Sequence, residues 1–117
     1  MGVTYLAGTV VGPSGEEALD VLVDGGSQYT LLPEDAWRRI GLQPQRRQRF
    51  RLADGTLLGR EISNCVVKLA ELGETPTPVV VGEPGDVALL GAVTLKELGL
   101  VLNPFTRTLH PAAPLMV

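Results

Sequence analysis

One carboxylate in this chain stands where acid–base chemistry is possible. Asp24 follows the apolar run Val21-Leu22-Val23 and opens the tight segment Asp24-Gly25-Gly26-Ser27. A carboxylate held on a turn at the end of a buried strand can take or give a proton in a reaction. The same Asp-Gly pair is also a favoured hairpin loop, with no chemistry implied. Context separates the two readings. The runs on both sides are apolar throughout rather than alternating, so the turn belongs inside the protein. A matching strand end, Leu89-Leu90-Gly91, comes later and is followed by the helical pattern TLKELGL.

Other chemistries find little support. His110 is the single histidine and Cys65 the single cysteine. Nothing in Ser63-Asn64-Cys65-Val66-Val67 resembles an activated thiol, so Cys65 reads as a buried strand residue. One His and one Cys do not make a zinc site, and no metal is expected. The glycine-rich segments GSQYT and GEPG lack the lysine-serine ending of a phosphate loop and the spacing of a dinucleotide fingerprint.

The elements that must position Asp24 are short strands. The chain has 117 residues, 44% hydrophobic, with 14 Gly and 9 Pro. That length predicts one domain over 1–117, and the Val-rich, Gly/Pro-punctuated pattern predicts strands joined by tight turns. Strands are expected over Thr4–Val11, Ala18–Val23 (apolar enough to be buried on both faces), Tyr29–Leu32, Arg47–Leu52 and Thr56–Ile62. Further strands are expected over Cys65–Leu69, Pro78–Val81, Val87–Leu90, Leu100–Leu102 and Thr106–Leu109. Gly12–Gly15 and Asn103-Pro104 read as turns, and Asp54-Gly55 as a hairpin. Two short helices are expected. One runs from Pro33-Glu34-Asp35 to Ile40 and stops at Gly41; the other covers Thr94–Leu98 and stops at Gly99. Val21–Leu42 and Val87–Leu100 both run strand, Gly, helix, aliphatic-Gly-Leu; the echo is short enough to arise by chance.

The formal net charge is −3, which argues against a nucleic-acid partner. Arg46, Arg47, Arg49 and Arg51 form a local basic cluster whose alternation with Phe50 and Leu52 reads as the solvated face of a half-buried strand. With one cysteine, no intrachain disulfide can form, which suits a reducing compartment. No signal peptide is read and no apolar stretch approaches the ~20 residues that span a bilayer, so no membrane partner is expected and the cytoplasm is the expected location.

VDGGSQYTLLP resembles the active-site segment of retroviral-type (retropepsin-like) aspartic proteases, in which an apolar strand runs into Asp-Thr/Ser-Gly-Ala/Ser. LLGAVTLKELGLVLNP looks like that family's second signature, and FRLADGTLLGR sits where the family has its flap hairpin. The resemblance covers residues 4–110. It implies an all-β fold, a small closed barrel of short strands with one or two short helices, paired as a two-fold homodimer. It implies an aspartic endopeptidase that needs no cofactor. Asp24 would be catalytic, in an active-site turn with Gly25, Gly26 and Ser27, the Ser27 hydroxyl donating to Asp24. Leu90 and Gly91 would support the turn from behind. Asp54, Gly55 and Thr56 would form the flap tip over an extended peptide or protein substrate. The partner would be a second copy of the chain, joined through strands near Val3–Leu6 and after Asn103, although Pro111 and Pro114 weaken the second.

Gly25 departs from the family pattern, which has Thr or Ser there. The missing hydroxyl would otherwise bond across the dimer axis, at on the order of 1 kcal/mol per bond. The alternative expectation is therefore a catalytically impaired module of the same fold that dimerises or binds peptides. An unrelated β domain whose Asp-Gly turns imitate the motif is the third.

Overall fold

Short β-rich runs broken by Gly and Pro fold here into paired strands, as the pattern predicts. The computed structural model describes residues 5–103 and 105–112. The expectations at Val3, Thr4, Pro104 and Pro114 fall outside those residues. The first hairpin joins β1 (Tyr5–Gly12) to β2 (Gly15–Val23) in register from Tyr5 opposite Leu22 to Gly12 opposite Gly15. Pro13 and Ser14 form its loop. A Cβ on Gly12 would lie 2.4 Å from the Ile40 carbonyl oxygen, so only glycine permits that approach.

The other strands are β3 (Thr30–Leu32), β4 (Arg46–Arg51), β5 (Leu57–Lys68), β6 (Glu74–Val81), β7 (Leu89–Leu90), β8 (Leu100–Asn103) and β9 (Thr108–Pro111). Strands β1 to β7 form one sheet in the order β1-β2-β7-β3-β6-β5-β4. β1 also pairs with β5, from Thr9 opposite Lys68 to Val11 opposite Val66, so six strands close into a ring and β4 extends from it. β8 and β9 make a separate two-stranded sheet. The chain is mostly β with two short helices, as expected.

The core sits within the ring. Val10, Val21, Leu32, Val67, Val79 and Leu90 are all at most 2% exposed and pack in one cluster. Each such side chain contributes about 1.5–3 kcal/mol by leaving water. The helices α1 (Glu34–Arg39) and α2 (Ala92–Glu97) have six residues each, too few to persist alone. Packing holds them. Ala36 and Trp37 of α1 are buried, and the Trp37 indole N–H donates to the Gly82 carbonyl at 2.9 Å. Gly41 and Gly99 follow the two helices with φ of +79° and +70°, the left-handed turn that glycine adopts without strain. None of the described helices is long and apolar enough to cross a membrane.

Four expectations need correction. β2 is not buried on both faces: Ala18 and Asp20 are exposed, and the buried pair is Val21 and Val23. Its acidic first half alternates, with one face turned to water. The strands expected at Thr56–Ile62 and Cys65–Leu69 are one strand, β5. The polar pair Ser63-Asn64 reads as a break, but the Ser63 hydroxyl donates to the Gln43 carbonyl at 2.8 Å and is satisfied while buried. β6 begins at Glu74 rather than Pro78 and runs through Pro76 and Pro78. Those prolines lie two apart, so both missing N–H groups face the same edge, and β3 joins that strand only from Val79 onward. The expected strand Val87–Leu90 shrinks to Leu89–Leu90, with Val87 exposed at 62%. The preceding Gly-rich turn, closed by the Asp86 N–H donating to the Glu83 carbonyl at 3.0 Å, delays its start.

Candidate active site

β2 and β7 run side by side in parallel, Leu22 opposite Leu89 and Val23 opposite Leu90. This pairing carries both halves of the expected site to one place. The Asp24 N–H continues the ladder, donating to the Leu90 carbonyl at 3.1 Å. The chain then turns back: the Ser27 N–H donates to the Asp24 carbonyl at 3.1 Å, closing a four-residue turn. Within it, the Gly26 N–H donates to Asp24 Oδ1 at 3.0 Å. A Cβ on Gly26 would come to 3.3 Å from that same oxygen, so the bare glycine lets the backbone close on the carboxylate. Asp24 is half-buried, while Gly25 and Gly26 are exposed. The carboxylate is thus oriented by the backbone and open on one side.

The hydroxyl of Ser27 goes elsewhere than the resemblance implies. It donates to the Tyr29 carbonyl at 2.9 Å, so its single proton is not offered to Asp24. Behind the turn stand Leu90, 0% exposed, and Gly91. The start of α2 holds the segment after the turn. The Ala92 N–H donates to the Ser27 carbonyl at 2.8 Å, and the Val93 N–H to the Gln28 carbonyl at 2.9 Å.

Three threonines complete this support, and none was singled out from the sequence. The Gly91 N–H donates to Thr30 Oγ1 at 3.0 Å; Thr30 Oγ1 bonds Thr94 Oγ1 at 2.6 Å; Thr94 Oγ1 bonds Thr77 Oγ1 at 3.0 Å. All three hydroxyl residues are at most 2% exposed. Threonine is an ordinary strand residue, so its presence carried no signal. Only the placement of Thr30 and Thr94 just beyond the two glycine turns hinted at a role.

Asp54, Gly55 and Thr56 lie at the tip of the β4–β5 hairpin. The Gly55 N–H donates to the Leu52 carbonyl at 2.9 Å, Gly55 has φ +88°, and the Leu52 N–H donates to the Thr56 carbonyl at 2.8 Å. This is a three-residue loop with a glycine bulge. The Thr56 N–H donates to Asp54 Oδ1 at 2.9 Å. Hydrogen bonding from Thr56 holds the Asp54 carboxyl below its usual range. The tip is fully exposed, and among the described residues it has no hydrogen bond to the Asp24 turn. The body of the hairpin does approach the site. Phe50 and Tyr29 meet edge to face, with centroids 5.7 Å apart at 83°.

Between the hairpin and the post-turn segment lies an apolar cleft of about 180 Å³, bounded by Ser27, Tyr29 and Leu31 on one side and Phe50, Leu52 and Leu58 on the other. A larger groove of about 600 Å³ runs between α1 and β5, but no residue of the Asp24 turn lines it. The smaller cleft is the one that reaches the Asp24 turn, through Ser27.

Cys65 and His110 take no part. Cys65 is buried in β5, and burial pushes its thiol up to about 12. His110 is exposed on β9, with Nε2 hydrogen-bonded to Thr108 Oγ1 at 2.5 Å. No group of three or more His, Cys, Asp or Glu suited to a metal ion occurs among the described residues.

A β-rich chain with an aspartate on a glycine turn, backed by a second strand–Gly–helix unit, has parts in common with an aspartic protease domain. The chain belongs to the family described as gag-polyprotein putative aspartyl protease, whose model matches residues 13–97. That span contains the Asp24 turn, the β4–β5 hairpin and Gly91. Aspartic protease-like function follows at that general level. No curated protein matches the chain.

Proposed function

We propose that the chain is one subunit of a homodimeric aspartic endopeptidase. The observation that carries this reading is Asp24 itself, fixed by the Leu90 carbonyl and the Gly26 N–H yet open on one side. In the dimer, two Asp24 carboxylates meet on the two-fold axis. Carboxylates ~3 Å apart cannot both ionise, so they share one proton. The ionised member takes a proton from a bound water, which attacks the scissile carbonyl. The protonated member polarises that carbonyl and then helps protonate the leaving amine. The pair titrates as a unit, with activity highest in mildly acid solution. In this reading the closed ring of strands is the small barrel of the family. The β4–β5 hairpin is the flap, excluding water from an extended peptide bound in the cleft beside Tyr29 and Phe50.

The exposed apolar residues support self-association. Tyr5 on β1 is 61% exposed, Val101 on β8 53% and Phe105 94%. β8 also borders the catalytic turn, since Leu102 Cδ2 lies 3.8 Å from where a Cβ on Gly25 would be. A second copy seated there would reach the turn.

Gly25 favours the second reading, a module of the same fold that pairs and binds peptides without cutting them. It presents no hydroxyl to the axis. Cleavage of an unfolded-protein mixture between about pH 3 and pH 7, compared with Asp24→Asn, decides between them. Cleavage lost in the variant supports the endopeptidase. No cleavage by a folded, dimeric wild-type chain supports the module. A rate that climbs steadily to pH 9 excludes the shared-proton mechanism.

A further inference from the structure

β4 carries Arg46, Arg47, Arg49 and Arg51, four of the ten Lys and Arg in the chain. Side chains alternate along a strand, so Arg47, Arg49 and Arg51 share one face and Phe50 lies on the other. Phe50 packs on Tyr29, which makes its face the inner one and turns the three arginines outward. Opposite them on β5 stand Glu61, Gly59 and Leu57. One carboxylate therefore serves three guanidinium groups, and that pair is long, 3.9 Å from Arg47 Nη1 to Glu61 Oε1. Arg51 reaches only the Gly55 carbonyl, at 3.5 Å, and Arg49 has no partner among the described residues.

β4 is also the last strand of the sheet. It pairs with β5, and no strand occupies its other edge among the described residues. An open edge with a positive side chain at every second position, about 7 Å apart, matches an extended chain with acidic side chains at alternate positions. We propose that this edge of the hairpin binds an acidic, extended stretch of the polypeptide substrate, outside the bond that is cut. The identity of the occupant as substrate rests on the endopeptidase reading. A strand edge offers backbone N–H and C=O groups in ladder register, which a polypeptide can pair and a nucleic acid cannot. The net charge of −3 over the whole chain further disfavours a long polyanion.

The test is fluorescence anisotropy on full-length Asp24→Asn protein with labelled peptides of about ten residues. One carries Glu at alternate positions, a second has the same composition with its Glu residues grouped, and a third has Gln for Glu. Cross-strand charge pairs sum to about a tenfold advantage for the alternating peptide over the Gln peptide at low salt. The grouped peptide falls between them, and the advantage closes in high salt. Arg49→Gln with Arg51→Gln, both at exposed positions, removes the advantage while the far-ultraviolet spectrum stays unchanged. Equal affinity for the Glu and Gln peptides overturns the inference, as does an advantage that survives the double substitution. Binding of a single-stranded oligonucleotide of equal charge at least as tightly also overturns it, since the face is then a general polyanion surface. Binding is read without cleavage, so a preference for the alternating peptide beside a wild-type chain that cuts nothing keeps the acidic-peptide edge and removes only its assignment to substrate.

Discussion

Gly91 and Tyr29 are in such close contact that a Cβ on Gly91 would lie 2.4 Å from the Tyr29 carbonyl oxygen and 2.3 Å from its carbonyl carbon. The opposing atoms are backbone, two residues beyond the Asp24 turn, and cannot swing aside. Gly91→Ala must therefore push the 27–30 segment away from α2. It loses about 1–3 kcal/mol of stability, as overpacked sites do, which urea denaturation reads as a lower midpoint at unchanged slope. Because Ser27 and Gln28 hang from the first N–H groups of α2, cleavage falls more than the folded fraction does.

The threonine chain behind the turn makes a graded prediction. Thr94 Oγ1 bonds both Thr30 and Thr77, whereas Thr77 Oγ1 bonds Thr94 alone among the described residues. Thr94→Val keeps the shape and leaves two buried hydroxyls each short of a partner, at about 1–3 kcal/mol for each unsatisfied group. Thr77→Val strands nothing, since Thr94 keeps Thr30. Thermal or urea unfolding should rank Thr94→Val as the more damaging. Equal losses would mean that the chain does not act as a connected network.

How far such features could be read beforehand depended on whether a local rule governed them. Asp54-Gly55 and the helix stops at Gly41 and Gly99 follow from backbone preference, and all three stand where the sequence puts them. Asp24, Leu90 and Gly91 come together because two apolar strand ends pair, which patterning plus resemblance anticipates. Local rules failed where a distant partner satisfied a polar group. Ser63 looked like a break until Gln43 accepted its hydroxyl proton, and the expected strand began only at Pro78, whereas β6 also runs through Pro76 because the edge that both prolines face is unshared there. Ser27 prefers the Tyr29 carbonyl over Asp24 for the same reason: the fold decides which acceptor lies in reach.

Cys65 gives a pH prediction whose sign can be worked out. Burial raises its thiol to about 12 from an ordinary value of 9.0. Above 9.0 the unfolded thiol ionises while the folded one stays neutral, so the unfolded state loses its proton first. The stability that neutral burial provides is complete below pH 9.0 and declines toward about 12, by ~1.4 kcal/mol per pH unit at most. Strong alkali acts on the whole protein, so the useful quantity is the difference from Cys65→Val. Denaturation midpoints of the two proteins, measured across that range, should diverge with wild type falling faster. At pH 8 the folded wild type should also resist thiol reagents that label it readily in urea.

Gly25 is the position where sequence and site disagree most, and the structure leaves room to repair it. Its φ is not in the left-handed region, and the nearest atom to a Cβ there is Leu102 Cδ2 at 3.8 Å, an ordinary contact. Gly25→Ser therefore fits without strain. It should stabilise the fold by about 0.4–1 kcal/mol through reduced freedom of the unfolded chain. If two turns face each other across an axis, each new hydroxyl can also bond to the partner backbone, at about 1 kcal/mol apiece. The dimer then tightens by tenfold or more, which sedimentation equilibrium measures directly, and kcat/KM rises as the carboxylates are held more closely. Gly25→Thr should act the same way. A stabilised chain whose self-association does not change would show that the Asp24 turns do not meet across a two-fold axis, and the shared-proton mechanism would go with it.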